Sequence, residues 1–145
     1  QRLSRYHNNI IIIAIGLNDA RFYKNKKCNN ISIGKTKINI QTLIDQAKKY
    51  TNIVVFIGLT LVNEKLTQPV EWNDNDFFNN SDIVEYNNAI KNICAKNKVH
   101  FIDILKNFKT INYQKLLHDG LHLNSLGYKL IYQTVKKYLI KNKII

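Results

Sequence analysis

Three short runs of apolar, mostly β-branched residues constrain the fold of this 145-residue chain most strongly. They lie at residues 10–15 (IIIIAI), 53–57 (IVVFI) and 99–102 (VHFI). Nearly continuous apolar strands are typical of parallel sheets that are covered on both faces. The segments after each run carry apolar residues at helical spacing, which predicts amphipathic helices. This alternation indicates an open parallel sheet in a three-layer α/β/α domain of the α/β class.

The helical spacing locates the predicted helices. Residues 40–47 place apolar side chains at i, i+3, i+4 and i+7, and similar stripes recur over 83–93 and 126–139. Ser81 is the predicted N-cap of the second helix, and the last helix is expected to begin around Ser125. We expect a single domain over residues 1–145.

The number of strands bears on whether the domain is complete. The chain supplies three predicted strands, whereas typical sheets have about 4–6. It also begins at Gln1 and contains no methionine. We therefore expect the first strands of the domain to be absent from this sequence and to lie upstream of Gln1.

The composition excludes several classes of partner. The net charge is +12, but the lysines are scattered and do not cluster with aromatics, so we expect no nucleic-acid partner. No apolar run approaches the ~20 residues of a membrane span. Cys28 and Cys94 lack CxxC or metal-ligand spacing, which fits a reducing compartment and predicts a cytoplasmic location. The sequence does not indicate an oligomeric state.

Two long predicted loops leave the carboxyl edge of the sheet, where α/β folds build their sites. They cover residues 17–37 and 59–80. The second loop contains Trp72, Phe77 and Phe78. These aromatic side chains either line an apolar substrate pocket or form a small satellite core beneath the loop.

An Asp-x-x-His sequence directly precedes the last predicted helix. Asp119 and His122 are spaced so that the carboxylate can accept the Nδ1 hydrogen of the imidazole, which leaves Nε2 free to take a proton. One alternative is a surface aspartate beside a solvated or capping histidine. A second is a metal site that includes His118, but no further His, Asp or Glu cluster completes it, and we expect no metal.

Asn18 follows the first strand directly, in the turn Gly16-Leu17-Asn18-Asp19. A side-chain amide at the mouth of a strand is a suitable donor to an oxyanion, because it is neutral and always carries hydrogens. The alternative is that Asn18 and Asp19 are ordinary turn formers.

Taken together, these segments resemble the SGNH (GDSL-type) hydrolase family. Residues 16–19 (GLND) look like that family's Asn block, and residues 119–128 (DGLHLNSLGY) look like its Asp-x-x-His block. The segment 57–60 (IGLT) and the pair Tyr86-Asn87 also look like its bacterial members. The resemblance spans nearly the whole chain.

The resemblance implies a flavodoxin-like fold and ester hydrolysis by a Ser-His-Asp triad, without metal or cofactor. His122 would be the general base, Asp119 the carboxylate that orients it, and Asn18 an oxyanion donor. The implied substrate is a small-molecule, lipid or carbohydrate ester.

The serine of such a triad is missing from this sequence. In the family it lies in a Gly-Asp-Ser block that closes the first strand, and a glycine block after the second strand supplies another oxyanion donor; both belong upstream of Gln1. Ser4 precedes the first strand, Ser32 lacks a strand-to-helix turn, and Ser81 and Ser125 are predicted helix-start residues. We expect this chain alone to have no serine-esterase activity. The alternative is a degenerate domain that binds esters or acetylated glycans without turnover.

Overall fold

The computed structural model describes residues 9–108 and 111–145. The helices and strands, in chain order, are β1 (Ile10–Ile13), β2 (Phe22–Tyr23), β3 (Cys28–Asn29), α1 (Ile33–Ala47), β4 (Ile53–Ile57), β5 (Asp76–Phe77), α2 (Asn80–Lys96), β6 (His100–Ile102), α3 (Ile104–Phe108) and α4 (Ser125–Lys141). Two 3-10 helices lie at Leu17–Ala20 and Tyr113–Leu116. The predicted α/β class is confirmed.

The three apolar runs form one parallel sheet in the order β1-β4-β6. The register pairs Ile13 with Phe56 and Ile57 with Ile102. Because all three strands run in the same direction, their carboxyl ends meet at one edge of the sheet. β1 ends two residues before the predicted run does, since Gly16, at φ +116°, turns the chain into the first 3-10 helix.

Both faces of the sheet are buried at β4. Successive strand residues point to opposite faces, and Val54, Val55 and Phe56 are all buried. Among the helices, α1 packs against α2, and both α2 and α4 contact β6. In the described part of the chain, no helix combines the length and apolar character needed to cross a membrane.

β1 forms the open edge of this sheet. In the residues described, it pairs only with β4. Ile12 is 45% exposed and Ile15 is 50% exposed, although both belong to a run typical of a covered strand. A groove of about 450 Å³ follows this edge and is lined by the strand residues together with Leu43, Ala47 and Tyr50.

The predicted loop over residues 17–37 is wrong at its carboxyl end, where α1 already begins at Ile33. Ser32 is the N-cap of α1 and accepts a hydrogen bond from the backbone N–H of Lys35. The apolar stripe of α1 starts later in the sequence than the helix itself, because the first buried residue of α1 is the polar Thr36. Thr36 is fully buried and donates its hydroxyl hydrogen to Asp19 Oδ2 at 2.7 Å.

Both predicted loops also contribute to a second, smaller sheet. β2 pairs antiparallel with β3 and with β5, in the order β3-β2-β5. An ion pair joins Arg21 to the buried Asp76 at 3.0 Å, so it links the segments after β1 and β4. These strands have two residues each, which is too short for an alternating pattern to be visible in the sequence.

The predicted N-cap of α2 is wrong by two residues. Asn79 occupies the N-cap position, and Ser81 lies exposed in the first turn. The backbone N–H of Asn80 donates to the carboxylate of Glu64 at 2.7 Å. The acceptor for this helix end therefore comes from a residue sixteen positions earlier.

A buried asparagine holds the chain where it leaves β4. The side-chain oxygen of Asn87 accepts the backbone N–H of Leu59 at 2.9 Å. Gly58 lies between this amide and β6, and a Cβ added to it would come within 2.8 Å of the Asn87 oxygen. The segment after β4 is thus tied to α2 by a hydrogen bond that requires a glycine next to it.

We expect Asn87→Ala to lower the free energy of unfolding by about 1–3 kcal/mol, because the backbone N–H of Leu59 would lose its buried acceptor. Urea denaturation measures this change. Asn88→Ala is the matched control, since Asn88 is the exposed neighbour on the same helix. Equal unfolding free energies for the two variants would contradict the assigned role of Asn87.

Candidate functional site

Asp119 and His122 form a hydrogen-bonded pair in the turn before α4. Nδ1 of His122 lies 2.7 Å from Oδ2 of Asp119. The other carboxylate oxygen accepts the backbone N–H groups of Leu121 at 2.9 Å and of His122 at 2.7 Å. An ionised carboxylate can only accept, so Nδ1 carries the hydrogen and Nε2 is left free as a base when the ring is neutral.

The hydrogen bonds keep Asp119 ionised. Burial alone raises the pKa of its carboxyl group, but the His122 side chain and the N–H groups of His122 and Leu121 outweigh burial and lower the pKa to about 2. The carboxylate is therefore negatively charged at neutral pH and is suited to stabilising a positively charged imidazole beside it.

Contacts from the segment after β4 hold the Asp119–His122 turn. Gly120 has a φ of +88° and packs so closely on Leu66 that an added Cβ would lie 2.6 Å from the Leu66 Cβ. The backbone N–H of Asn63 donates to the Gly120 carbonyl at 2.8 Å. Sequence reasoning missed Asn63 and Leu66, because no local pattern indicates a contact across more than fifty residues.

The start of α4 is capped by a side chain that also holds the preceding segment. Asn124 accepts the N–H groups of Leu126 and Gly127, and its amide donates to the carbonyl of Lys115 at 2.8 Å. A Cβ on Gly127 would come within 2.5 Å of the Leu116 carbonyl oxygen. The cap formed by Asn124 and the close packing of Gly127 against Leu116 explain the Asn-x-x-Gly spacing that follows His122.

The three predicted pocket aromatics lie in different places. Trp72 stacks on the His122 ring, with centroids 5.8 Å apart and 30° between the planes. Phe77 is half-buried in β5, where the amino group of Lys24 lies 5.6 Å from its ring centroid. Phe78 instead belongs to the hydrophobic core, with 2% of its surface exposed.

Asn18 lies exposed in the 3-10 helix that follows β1. Its backbone carbonyl accepts the side-chain amide of Asn30 at 3.1 Å and the N–H of Arg21 at 3.3 Å. The hydroxyl of Thr36 holds the neighbouring Asp19. Among the residues that the structure describes, the Asn18 side chain has no hydrogen-bond partner, so its amide hydrogens remain available to a ligand.

An apolar cleft of about 240 Å³ is lined by residues from the segments after β1 and β4 and from the start of α4. Its walls include Leu17, which precedes Asn18, and Leu123, which follows His122. Residues 57–60, after β4, complete the wall between them. The cleft therefore lies at the carboxyl edge of the sheet, with the predicted oxyanion donor and the predicted base next to residues of its lining.

The described serines lie at helix starts. Ser32 caps α1, Ser81 lies in the first turn of α2, and Ser125 is the first residue of α4. Ser4 falls outside the described residues. Over residues 9–108 and 111–145, no group of three His, Cys, Asp or Glu side chains is placed to hold a metal ion.

Comparison with known proteins supports the resemblance found in the sequence. The model of the GDSL-like lipase/acylhydrolase family matches residues 1–130. The fold is similar to the crystal structure of the lipase/acylhydrolase from Enterococcus faecalis, with a TM-score of 0.71 at 20% identity, over 90% of this chain and 60% of that one. No curated protein matches the sequence.

Two further similar structures are acetylxylan esterases by name. The acetyl xylan esterase AlAXEase has a TM-score of 0.70 at 22% identity, over 90% of this chain and 66% of that one. Axe2 from Geobacillus stearothermophilus has a TM-score of 0.66 at 15% identity, over 89% and 58%. The chain thus spans about three-fifths of the length of the solved structures that it matches.

The lowered pKa of Asp119 predicts how the folded protein responds to acid. Its ionised form stabilises the folded state at and above the ordinary pKa of 3.8, and this contribution is lost as the pH falls towards about 2. We expect an NMR titration of the Asp119 side-chain carboxyl carbon to show a midpoint near 2. His122→Ala should raise the midpoint, because it removes the side-chain hydrogen bond.

His118→Ala is the control for this titration, because the exposed His118 side chain forms no hydrogen bond to Asp119 within the described residues. The midpoint should not move in that variant. An Asp119 midpoint at the ordinary value of 3.8 in the unchanged protein would show that the hydrogen bonds do not outweigh burial.

Proposed function

Because the chain belongs to the GDSL-like lipase/acylhydrolase family, we propose that it serves ester hydrolysis by a Ser-His-Asp triad. The observation that carries the proposal is the 2.7 Å contact between His122 Nδ1 and Asp119 Oδ2, in a turn whose next residue, Leu123, lines a cleft at the carboxyl edge of the sheet. Open parallel sheets generally bind their ligands at this edge.

His122 is the proposed general base. Its Nε2 accepts the proton of the serine hydroxyl while the serine oxygen attacks the ester carbonyl, and it then donates that proton to the leaving alcohol. In a second step, water attacks the acyl-serine ester while Nε2 accepts a proton from the water. Nε2 then donates that proton to the serine oxygen as the acyl group leaves. Asp119 holds the Nδ1 tautomer and stabilises the imidazolium that forms in each step.

Asn18 is the proposed oxyanion donor. The ester carbonyl oxygen becomes negatively charged in the tetrahedral intermediate, and an amide hydrogen aimed at it stabilises this charge. The exposure of the Asn18 side chain, and the position of Leu17 in the cleft wall, support this assignment.

We further propose that the serine is carried at the end of a strand that pairs with β1. The open edge of β1, the exposed Ile12 and Ile15, and the apolar groove beside them support a neighbouring strand. A strand parallel to β1 would end at the same edge as the Asn18 turn and the cleft.

The second candidate function, ester binding without turnover, is favoured by the positions of the described serines at helix starts.

The substrate is proposed to be a small-molecule, lipid or carbohydrate ester. Two of the similar structures are named as acetylxylan esterases, so acetylated xylo-oligosaccharides are the first substrates to test. The cleft wall is mainly apolar, which suits the acyl group of such an ester.

A fluorophosphonate probe separates the two candidate functions, because it labels only an activated serine. We expect the full-length protein, meaning the protein that includes the proposed serine-bearing strand, to be labelled and to hydrolyse a p-nitrophenyl ester. His122→Ala should abolish both signals, and the control His118→Ala should retain them. Binding of an acetylated xylo-oligosaccharide without labelling or turnover would instead favour the non-catalytic function.

Asn18→Ala tests the oxyanion role in the full-length protein. Loss of one oxyanion donor lowers kcat by about 100- to 1000-fold, and we expect this loss with little change in KM. Asn39→Ala is the control, since Asn39 is exposed on α1 and should leave both constants unchanged. A raised KM at constant kcat would mean that Asn18 binds the substrate and does not stabilise the oxyanion.

A further inference from the structure

The contact between Trp72 and His122 is not explained by burial in the core. The indole stacks on the imidazole at 5.8 Å, yet Trp72 remains 55% exposed and the His122 side chain 62% exposed. Trp72 is also not part of the hydrophobic core or of the residues packed against it. A ring that buries so little apolar surface contributes little to folding, so its position calls for another reason.

The backbone that carries Trp72 is anchored on both sides. The N–H of Val70 donates to the Asp76 carbonyl at 3.0 Å, and the N–H of Asn73 donates to the Val70 carbonyl at 3.2 Å. Val70 is buried, and Asp76 is held by its ion pair with Arg21. The turn around Trp72 is therefore held to the fold independently of the stacking contact.

The same segment contacts the turn of His122 at a second point. Asn63 donates to the carbonyl of Gly120, and Leu66 packs against the Cα of that glycine. Residues 63–72 thus touch the Asp119–His122 turn at its backbone and at its imidazole ring. The segment that presents the indole to the imidazole is therefore also bound to the backbone of the same turn.

We propose that Trp72 is a positioning residue for His122. The hydrogen bond to Asp119 holds the imidazole at Nδ1 but lets the ring tilt about that contact, because the last torsion of histidine has broad minima. The stacked indole restricts this tilt and so sets the direction of Nε2. The inference rests on the proposed function, since that direction affects catalysis only if Nε2 takes a proton.

The indole also suits the charge that develops in the reaction. The serine proton moves to Nε2 as the serine oxygen bonds to the carbonyl carbon, the carbonyl electron pair moves onto its oxygen, and His122 becomes an imidazolium. An indole face within about 6 Å of a cation stabilises it, and tryptophan does so better than phenylalanine. Trp72 therefore acts on the charged state of His122 as well as on its orientation.

The test compares Trp72→Leu with Trp72→Phe in the full-length protein. We expect Trp72→Leu to lower kcat by about 3- to 10-fold at unchanged KM, the effect of losing one aromatic stacking contact. Trp72→Phe should recover most of the rate, because a phenyl ring can still stack. Tyr132→Leu is the control, since it removes an exposed aromatic from α4 and should leave kcat unchanged.

NMR provides a readout that does not depend on activity. The ring protons of His122 should show cross-relaxation with the indole protons and should move downfield in Trp72→Leu. Those of the exposed His118 should not move. The thermal midpoint should be unchanged in each Trp72 variant, because the side chain lies outside the core.

An unchanged kcat in Trp72→Leu would overturn the inference and leave the proposed function intact. A raised KM at constant kcat would also overturn it, because Trp72 would then contact substrate without positioning the base. If the unchanged protein shows the stacking by NMR but no turnover, the proposed function fails, and the positioning role fails with it.

Discussion

Parallel pairing on both sides of β4 is the constraint on which the rest of the structure depends. It requires each strand to end at the same edge, because the backbone hydrogen bonds of β4 set the register of β1 and β6 together. The turn that carries Asn18 and the segment held by Asn87 must therefore emerge side by side. The burial of Val55 and Phe56 on opposite faces of β4 makes a slip of this register costly.

The segment between β4 and β5 connects this sheet edge to the start of α2 and to the Asp119–His122 turn. Glu64 accepts the first-turn N–H of α2, Asn63 binds the carbonyl of Gly120, and Trp72 stacks on His122. At the end of this segment, the ion pair of Asp76, the first residue of β5, contacts Arg21 after β1. The segment therefore bears directly on the position of the base, although His122 does not belong to it.

The sequence was sufficient for the elements with a strong local pattern. The three strands, the start of α4 at Ser125 and the parallel α/β class follow from apolar runs and helical spacing. It was insufficient for the small sheet and for the beginnings of α1 and α2. Those features depend on polar contacts between distant residues, such as Thr36 with Asp19 and Glu64 with Asn80, and periodicity carries no information about them.

The pairing of Asp119 with His122 was determined by the sequence itself, because a spacing of three positions within one turn brings the carboxylate within reach of the imidazole. The different positions of Trp72 and Phe78, one on the base and the other in the core, were decided only by the tertiary structure. Aromatic residues in an irregular segment have no repeat that assigns them a face. Their environment depends on how hydrogen bonds to distant residues fold that segment back over the sheet edge.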